Sequence, residues 1–154
     1  MVDHPALPWR PLRAVIDTCV VVQRRWIVPF IQAARDGYVL PFWCPSIISE
    51  ANRFLTWRWI ERRGGDVSDA AWDRCSRDAK RWFSHATGVF RVVEDAPPPP
   101  PSGTQAPPDE GDIPLWTAAV RAEADFIVTE NLKDGPPADE KGIQPTGKQI
   151  RGNL

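Results

Sequence analysis

Histidine is almost missing from this chain. His4 and His85 are the only two among 154 residues, which leaves little material for histidine-based metal or triad chemistry. Cysteine is scarce and odd in number. Cys19, Cys44 and Cys75 lie far apart and form no CxxC pair, so neither a disulfide framework nor a structural zinc site is expected. No apolar run approaches the roughly 18 residues of a membrane span, and no membrane partner is expected. The opening MVDHPALPWRPLR has no apolar core of the signal-peptide kind, which points to a cytoplasmic protein. A large excess of one charge is missing too. The net charge of −1 gives no bulk attraction for nucleic acid.

What is present suits one domain with one core. Hydrophobic residues make up 42% and charged residues 25%, as in ordinary soluble domains. The charge is unevenly spread. Residues 1–95 hold 14 Lys+Arg against 11 Asp+Glu, whereas residues 96–154 hold 5 against 9. A locally basic surface beside a locally acidic site fits a metal-dependent enzyme acting on a polyanion. Such an imbalance also arises without any function.

Strands alternate with helices along the chain. Residues 14–16 read as a buried strand with Asp17 at its carboxyl end. A helical spacing follows over about 22–36 and stops at Gly37. YVLPFWCP reads as a short strand or extended piece broken by prolines. SIISEANRFLTWRWIERRGG reads as a helix capped by Ser46 after Pro45 and ended by Gly64 and Gly65. Another helix, capped by Ser68, runs to Gly88, and a strand covers 89–94. Residues 96–111 form a Pro-rich exposed loop, since DAPPPPPSGTQAPPDEGD carries seven of the 17 prolines and no apolar face. Helix 113–124 and strand 126–129 follow. The polar tail, 135–154, has room for a short edge strand near Ile143. The expectation is one domain over 1–154, an α/β sandwich with a mainly parallel sheet.

In such sheets the functional crevice lies outside the carboxyl ends of the strands. Asp17 follows a strand directly, so it belongs to that edge. Asp112 starts a helix that must return to the next strand, so it belongs there as well. Glu130 and Asn131 follow the last strand. Asp125 precedes that strand, about 13 Å away at 3.3 Å per residue, and reads as a turn residue on the opposite edge. Glu50 lies about one turn into its helix and can face the crevice. Three carboxylates, Asp17, Glu50 and Asp112, would repel one another unless a cation neutralised them. Hard oxygen ligands without histidine or thiolate favour Mg²⁺ or Mn²⁺. Each acid also has a plainer reading. Asp112 before Ile113-Pro114 is a good helix N-cap, and Glu50 reads equally as a solvated helix residue. An ionised Asp17 beside buried apolar residues is costly unless paired or coordinated.

These residues resemble a PIN domain, the nuclease fold of many bacterial toxin ribonucleases of the VapC type. The resemblance rests on VIDTCVVV, PSIISEANRF and DIPLWTAAVRAEADFIVTENLKD, in the family's order. It implies a three-layer α/β/α sandwich, an acidic site for Mg²⁺ or Mn²⁺, and hydrolysis of phosphodiester bonds, mostly in RNA. Asp17, Glu50 and Asp112 then match the three acids that bind metal. Asn131 matches a fourth catalytic position, with Asp134 as its substitute. Thr18, Arg53 and Thr129 are the expected substrate-binding residues. An RNA substrate, an antitoxin protein and a second copy of the chain are the implied partners. The family commonly reads Asp-Thr-Asn at its first motif, whereas this chain has Asp17-Thr18-Cys19. It commonly ends Asp-Phe-Pro, whereas Asp134 is followed by Gly135-Pro136-Pro137. A catalytically inactive RNA- or protein-binding module is the alternative. A phosphohydrolase of the haloacid-dehalogenase type lacks its Asp-x-Asp start here.

In the basic stretch EANRFLTWRWIERR, Arg53 shares the Glu50 face three residues on and could reach a backbone phosphate. The plainer reading makes Phe54, Leu55 and Trp59 core and the arginines a solvated outer face.

Overall fold

The segment LRAVI forms β1 (Leu12–Ile16), and its Ala14, Val15 and Ile16 are each no more than 3% exposed. Burial at three consecutive positions means that both faces of the strand are covered, as in the centre of a parallel sheet. The computed structural model describes residues 10–96, 111 and 113–130. After β1 come α1 (Thr18–Val21), α2 (Arg24–Arg35), β2 (Val39–Trp43), α3 (Pro45–Arg62), α4 (Asp69–Thr87), β3 (Arg91–Val92), α5 (Ile113–Arg121) and β4 (Phe126–Val128). The sheet order is β3-β2-β1-β4, and every pairing is parallel. The α/β sandwich expected from the sequence is therefore the observed architecture.

The connections from β1 to β2 and from β2 to β3 step one way along the sheet, and the return to β4 steps the other way. Right-handed crossovers put α2, α3 and α4 on one face and α5 on the other. The layers meet through small and β-branched residues. Ala118, Ala119 and Ala122 of the α5 segment are fully buried, and Ile47, Ala51, Leu55 and Ile60 form the inner stripe of α3. Trp43, 1% exposed at the end of β2, packs edge-on against Phe83 and Phe90.

Several boundaries differ from expectation for identifiable reasons. The run Val20–Val21–Val22 is β-branched, yet it belongs to a turn of helix begun by Asp17, because all three side chains are buried there. Tertiary burial outweighs propensity. Within YVLPFWCP, Val39–Trp43 form one strand that runs through Pro41. Helix α3 is capped at Cys44, with Pro45 at its first position and no side-chain cap of its own. Ser46 is thus inside the helix, and its amide is taken by Asp95 Oδ2 from beyond β3 at 2.7 Å. Ser68 does cap α4, accepting from the Ala71 amide. The strand after it is shorter than 89–94, covering only Arg91–Val92. Helix α5 stops before residue 124 because Glu123 adopts φ +47°, a left-handed stop made without glycine. Gly37, at φ +78°, makes the same kind of stop after α2.

The 96–111 loop, apart from its end residues Ala96 and Gly111, lies outside the described residues, as do Asp112, Asn131, Asp134, Ile143 and the tail from 135. Among the described residues no helix is long and apolar enough to cross a membrane.

Candidate active site

The direction of the connections changes beside β1, so a crevice is expected outside the carboxyl ends of β1 and β4. A cleft of about 700 Å³ lies there, lined among others by Asp17, Thr18, Cys19, Ser46, Glu50 and Arg58. Gly111 and Pro114, on either side of position 112, line it as well.

Asp17 leaves β1 as the N-cap of α1. Its amide still belongs to the sheet, donating to Val128 O at 3.0 Å. Its carboxylate is held on both oxygens. The Thr18 amide donates to Oδ1 at 2.6 Å, and the Thr129 hydroxyl donates to Oδ2 at 2.6 Å. The Cys19 thiol also points at Oδ2, at 3.2 Å. All of these donors are neutral. Among the described residues, no cation pairs with Asp17.

Glu50 stands across the cleft, on the exposed side of α3. The Thr18 hydroxyl donates to its Oε2 at 2.8 Å. Thr18 is only 8% exposed, so the donor side of this bond is buried while Glu50 itself reaches solvent. One residue therefore joins two acids that are 33 positions apart in sequence. Its amide fixes Asp17 and its hydroxyl fixes Glu50.

Cys19 occupies the position where an amide side chain was expected. Burial first, and then the neighbouring Asp17 charge, push its pKa up. It stays a protonated thiol near neutral pH. Its sulfur also accepts from the Glu130 amide at 3.2 Å, which ties the end of β4 to α1. Glu130 itself turns away from the cleft toward α2. It accepts from Gln23 Nε2 at 2.5 Å, from Trp26 Nε1 at 2.7 Å and from Arg25 at 3.2 Å. These partners, Gln23 foremost, hold its carboxyl below the usual range.

The structure thus brings Asp17, Thr18, Glu50 and Thr129 to one edge. It does not bring Arg53 to the described lining of the cleft. The residues that line the cleft from α3 beyond Glu50 are Phe54 and Arg58. Steps of four residues turn about 40° past a full helical turn, whereas a step of three falls about 60° short. Arg53 and Arg58 therefore lie on opposite sides of Glu50, and the cleft takes the Arg58 side. The Glu50, Phe54, Arg58 spacing was the available signal. Asp125 is on the far edge, as its position before β4 implied. It accepts from the Arg13 amide at 2.9 Å and from Arg10 at 2.6 Å.

The donor set can be tested against a divalent cation. No group of three or more His, Cys, Asp or Glu side chains that could hold a metal occurs among the described residues. Two carboxylates do face the same cleft, and the nearby sulfur is kept protonated. Hard oxygen donors fit Mg²⁺ or Mn²⁺ rather than a thiophilic metal, and Mg²⁺ is often held by one or two carboxylates with water completing its shell. The residues present fit such an ion. The family model for the PIN domain matches residues 13–133, a span that contains Asp17, Glu50, Asp112, Thr129 and Asn131 and stops short of Asp134. No similar curated protein and no similar solved structure was found.

Proposed function

The chain belongs to the PIN-domain family, and from that premise we propose that it is a divalent-metal-dependent endoribonuclease whose active site is the Asp17–Glu50 crevice. PIN domains are generally nuclease-type domains that use divalent metal ions. The observation that supports this reading is the pairing of Asp17 and Glu50 through Thr18 at the carboxyl edge of the sheet. Two carboxylates that face one cleft and make no ion pair among the described residues form an electrostatic deficit that a bound cation would fill.

Asp17 and Glu50 would hold Mg²⁺ or Mn²⁺, with Asp112 as third acid because its described neighbours Gly111 and Pro114 line the same cleft. Such an ion supplies charge neutralisation at a phosphate and activates water. Thr18 keeps the two carboxylates in register. Thr129 orients Asp17 through its Oδ2. Glu50 positions the attacking water and takes its proton. The water oxygen bonds to phosphorus as the bond to the 3′ oxygen breaks, leaving 5′-phosphate and 3′-hydroxyl ends. Asn131 belongs to the proposal as a further polar group beyond β4. A toxin role, with an antitoxin partner and a homodimer as working unit, is the finer form of the same proposal.

A catalytically inactive binding module is favoured by one observation. Both Asp17 oxygens already accept internal hydrogen bonds, as a purely structural cap would. Two assays separate the readings. Thermal unfolding with and without Mn²⁺ should show stabilisation that Asp17→Asn abolishes, and RNA cleavage should vanish in the same variant. Full metal-dependent cleavage by Asp17→Asn would refute the assignment. Growth arrest on expressing the wild type, absent with Asp17→Asn, tests the toxin role.

A further inference from the structure

The crevice continues past Glu50. A second groove of about 510 Å³ adjoins it between α2 and α3, and Val22, Gln23 and Arg58 line both. The charged side chains of this groove are Arg24, Arg25, Arg58 and Arg62, with no carboxylate among its described lining residues. Arg24, Arg58 and Arg62 make no ion pair among the described residues. Two of the guanidiniums are steadied on rings, Arg62 at 5.7 Å over Trp59 and Arg25 at 5.3 Å over Trp26. A planar fork held on an aromatic face is oriented in advance for a bidentate phosphate contact.

Arg25 is paired with Glu130, but the charges of Arg24, Arg58 and Arg62 repel one another in one groove, and a polyanion relieves that repulsion. A strand cut in the crevice must leave it, and the groove that shares Val22, Gln23 and Arg58 with the crevice is continuous with it. We propose that the α2–α3 groove is a track for the sugar-phosphate backbone of single-stranded RNA whose scissile phosphate lies at Asp17 and Glu50. This rests on the nuclease reading above. The contacts are to phosphate, so the track is indifferent to sequence.

The test is fluorescence anisotropy of the full chain with labelled oligouridylates of increasing length, in EDTA to prevent cleavage. Arg24 and Arg62 are exposed, so Arg24→Ala/Arg62→Ala should fold, and a thermal melt checks it. Arg24→Gln/Arg62→Gln is the conservative companion. The double variant should bind long oligonucleotides on the order of tenfold more weakly. Its slope of log affinity against log salt should fall by about 1.4, from two lost contacts on a single strand. A trinucleotide should lose less than a long strand. Unchanged affinity and slope, in a protein whose wild type still cleaves RNA, would overturn the track and leave the crevice reading standing. The expected loss beside undiminished cleavage by Asp17→Asn would sink the crevice reading and overturn the placement of the scissile phosphate, leaving a groove that only binds the strand. Oligoglutamate bound as tightly as RNA, with the same dependence on Arg24 and Arg62, would overturn the track in favour of an acidic protein segment.

Discussion

Asp17 and Asp125 stand at opposite ends of the same two strands, and their surroundings differ in kind. Asp125 fastens the amino edge. It accepts from the Arg13 amide and the Arg10 guanidinium, and its own amide donates to Arg13 O at 2.8 Å. Those bonds, the Arg13 amide first, hold its carboxyl below the ordinary range. Asp17 is bonded as fully, but only by an amide, a hydroxyl and a thiol. The first carboxylate has its charge answered within the chain. The second has its geometry fixed and its charge left to be answered by something else. Hydrogen-bond satisfaction alone does not distinguish a structural acid from a functional one; the sign of the neighbours does.

The contrast can be broken most sharply at Asp17. Asp17→Asn should lower RNA cleavage by roughly a thousandfold, several kcal/mol of transition-state stabilisation, while far-UV circular dichroism stays native. Asp125→Asn should leave the cleavage rate within a factor of about two. A second comparison uses the cation directly. Mn²⁺ at about 100 times its dissociation constant should stabilise the wild type by about 2.7 kcal/mol, leave Asp17→Asn/Glu50→Gln unmoved, and leave Asp125→Asn as responsive as wild type.

Stability should show the reverse order. Asp125→Ala removes an acceptor from the Arg13 amide and should cost about 1–2 kcal/mol in chemical denaturation. The pH dependence has a definite sign. The folded carboxyl of Asp125 titrates below its ordinary value of 3.8, so its stabilisation is present above about pH 4 and is lost as the pH falls through the depressed value. Wild type should therefore lose stability on acidification below pH 4 more steeply than Asp125→Asn. The smallest effect is expected at Glu130, which faces α2. Glu130→Gln weakens exposed contacts to Arg25 and Gln23 and should cost about 0.5 kcal/mol, with cleavage little changed.

Much of this contrast was legible before any coordinates. A parallel sheet has two chemically distinct edges, and placing each acid before or after a strand was enough to separate Asp17 from Asp125. The α5–β4 unit was legible because a helical period gives way to a short apolar run at Phe126. The hidden parts depend on contacts distant in sequence. The short helix Thr18–Val21 was not legible, because its β-branched residues enter a helical turn only through burial against distant parts of the chain. Asp95 takes the Ser46 amide from 49 positions away, so Ser46 looked like the cap. Arg53 and Arg58 both lie near the Glu50 face, and the four-residue steps Glu50, Phe54, Arg58 mark one side of it without saying that this is the side the cleft takes. The direct tie from Thr18 to Glu50 has no local signature at all.

Pro41 has a consequence beyond its own strand. Backbone groups of alternate residues in β2 point to alternate sides; Tyr38 O accepts from Leu12 of β1, whereas Trp43 O accepts from Val93 beyond β3. By that alternation Pro41 faces the β3 side, at a point one residue before β3 begins its pairing at Phe42. The amide that proline lacks is one that β3 does not reach. Pro41 is itself fully buried, so a foreign strand approaching this border would find only the two-residue rung of β3. A border that offers so short a rung is a poor template for amyloid-like growth, and lengthening β3 would remove that safeguard.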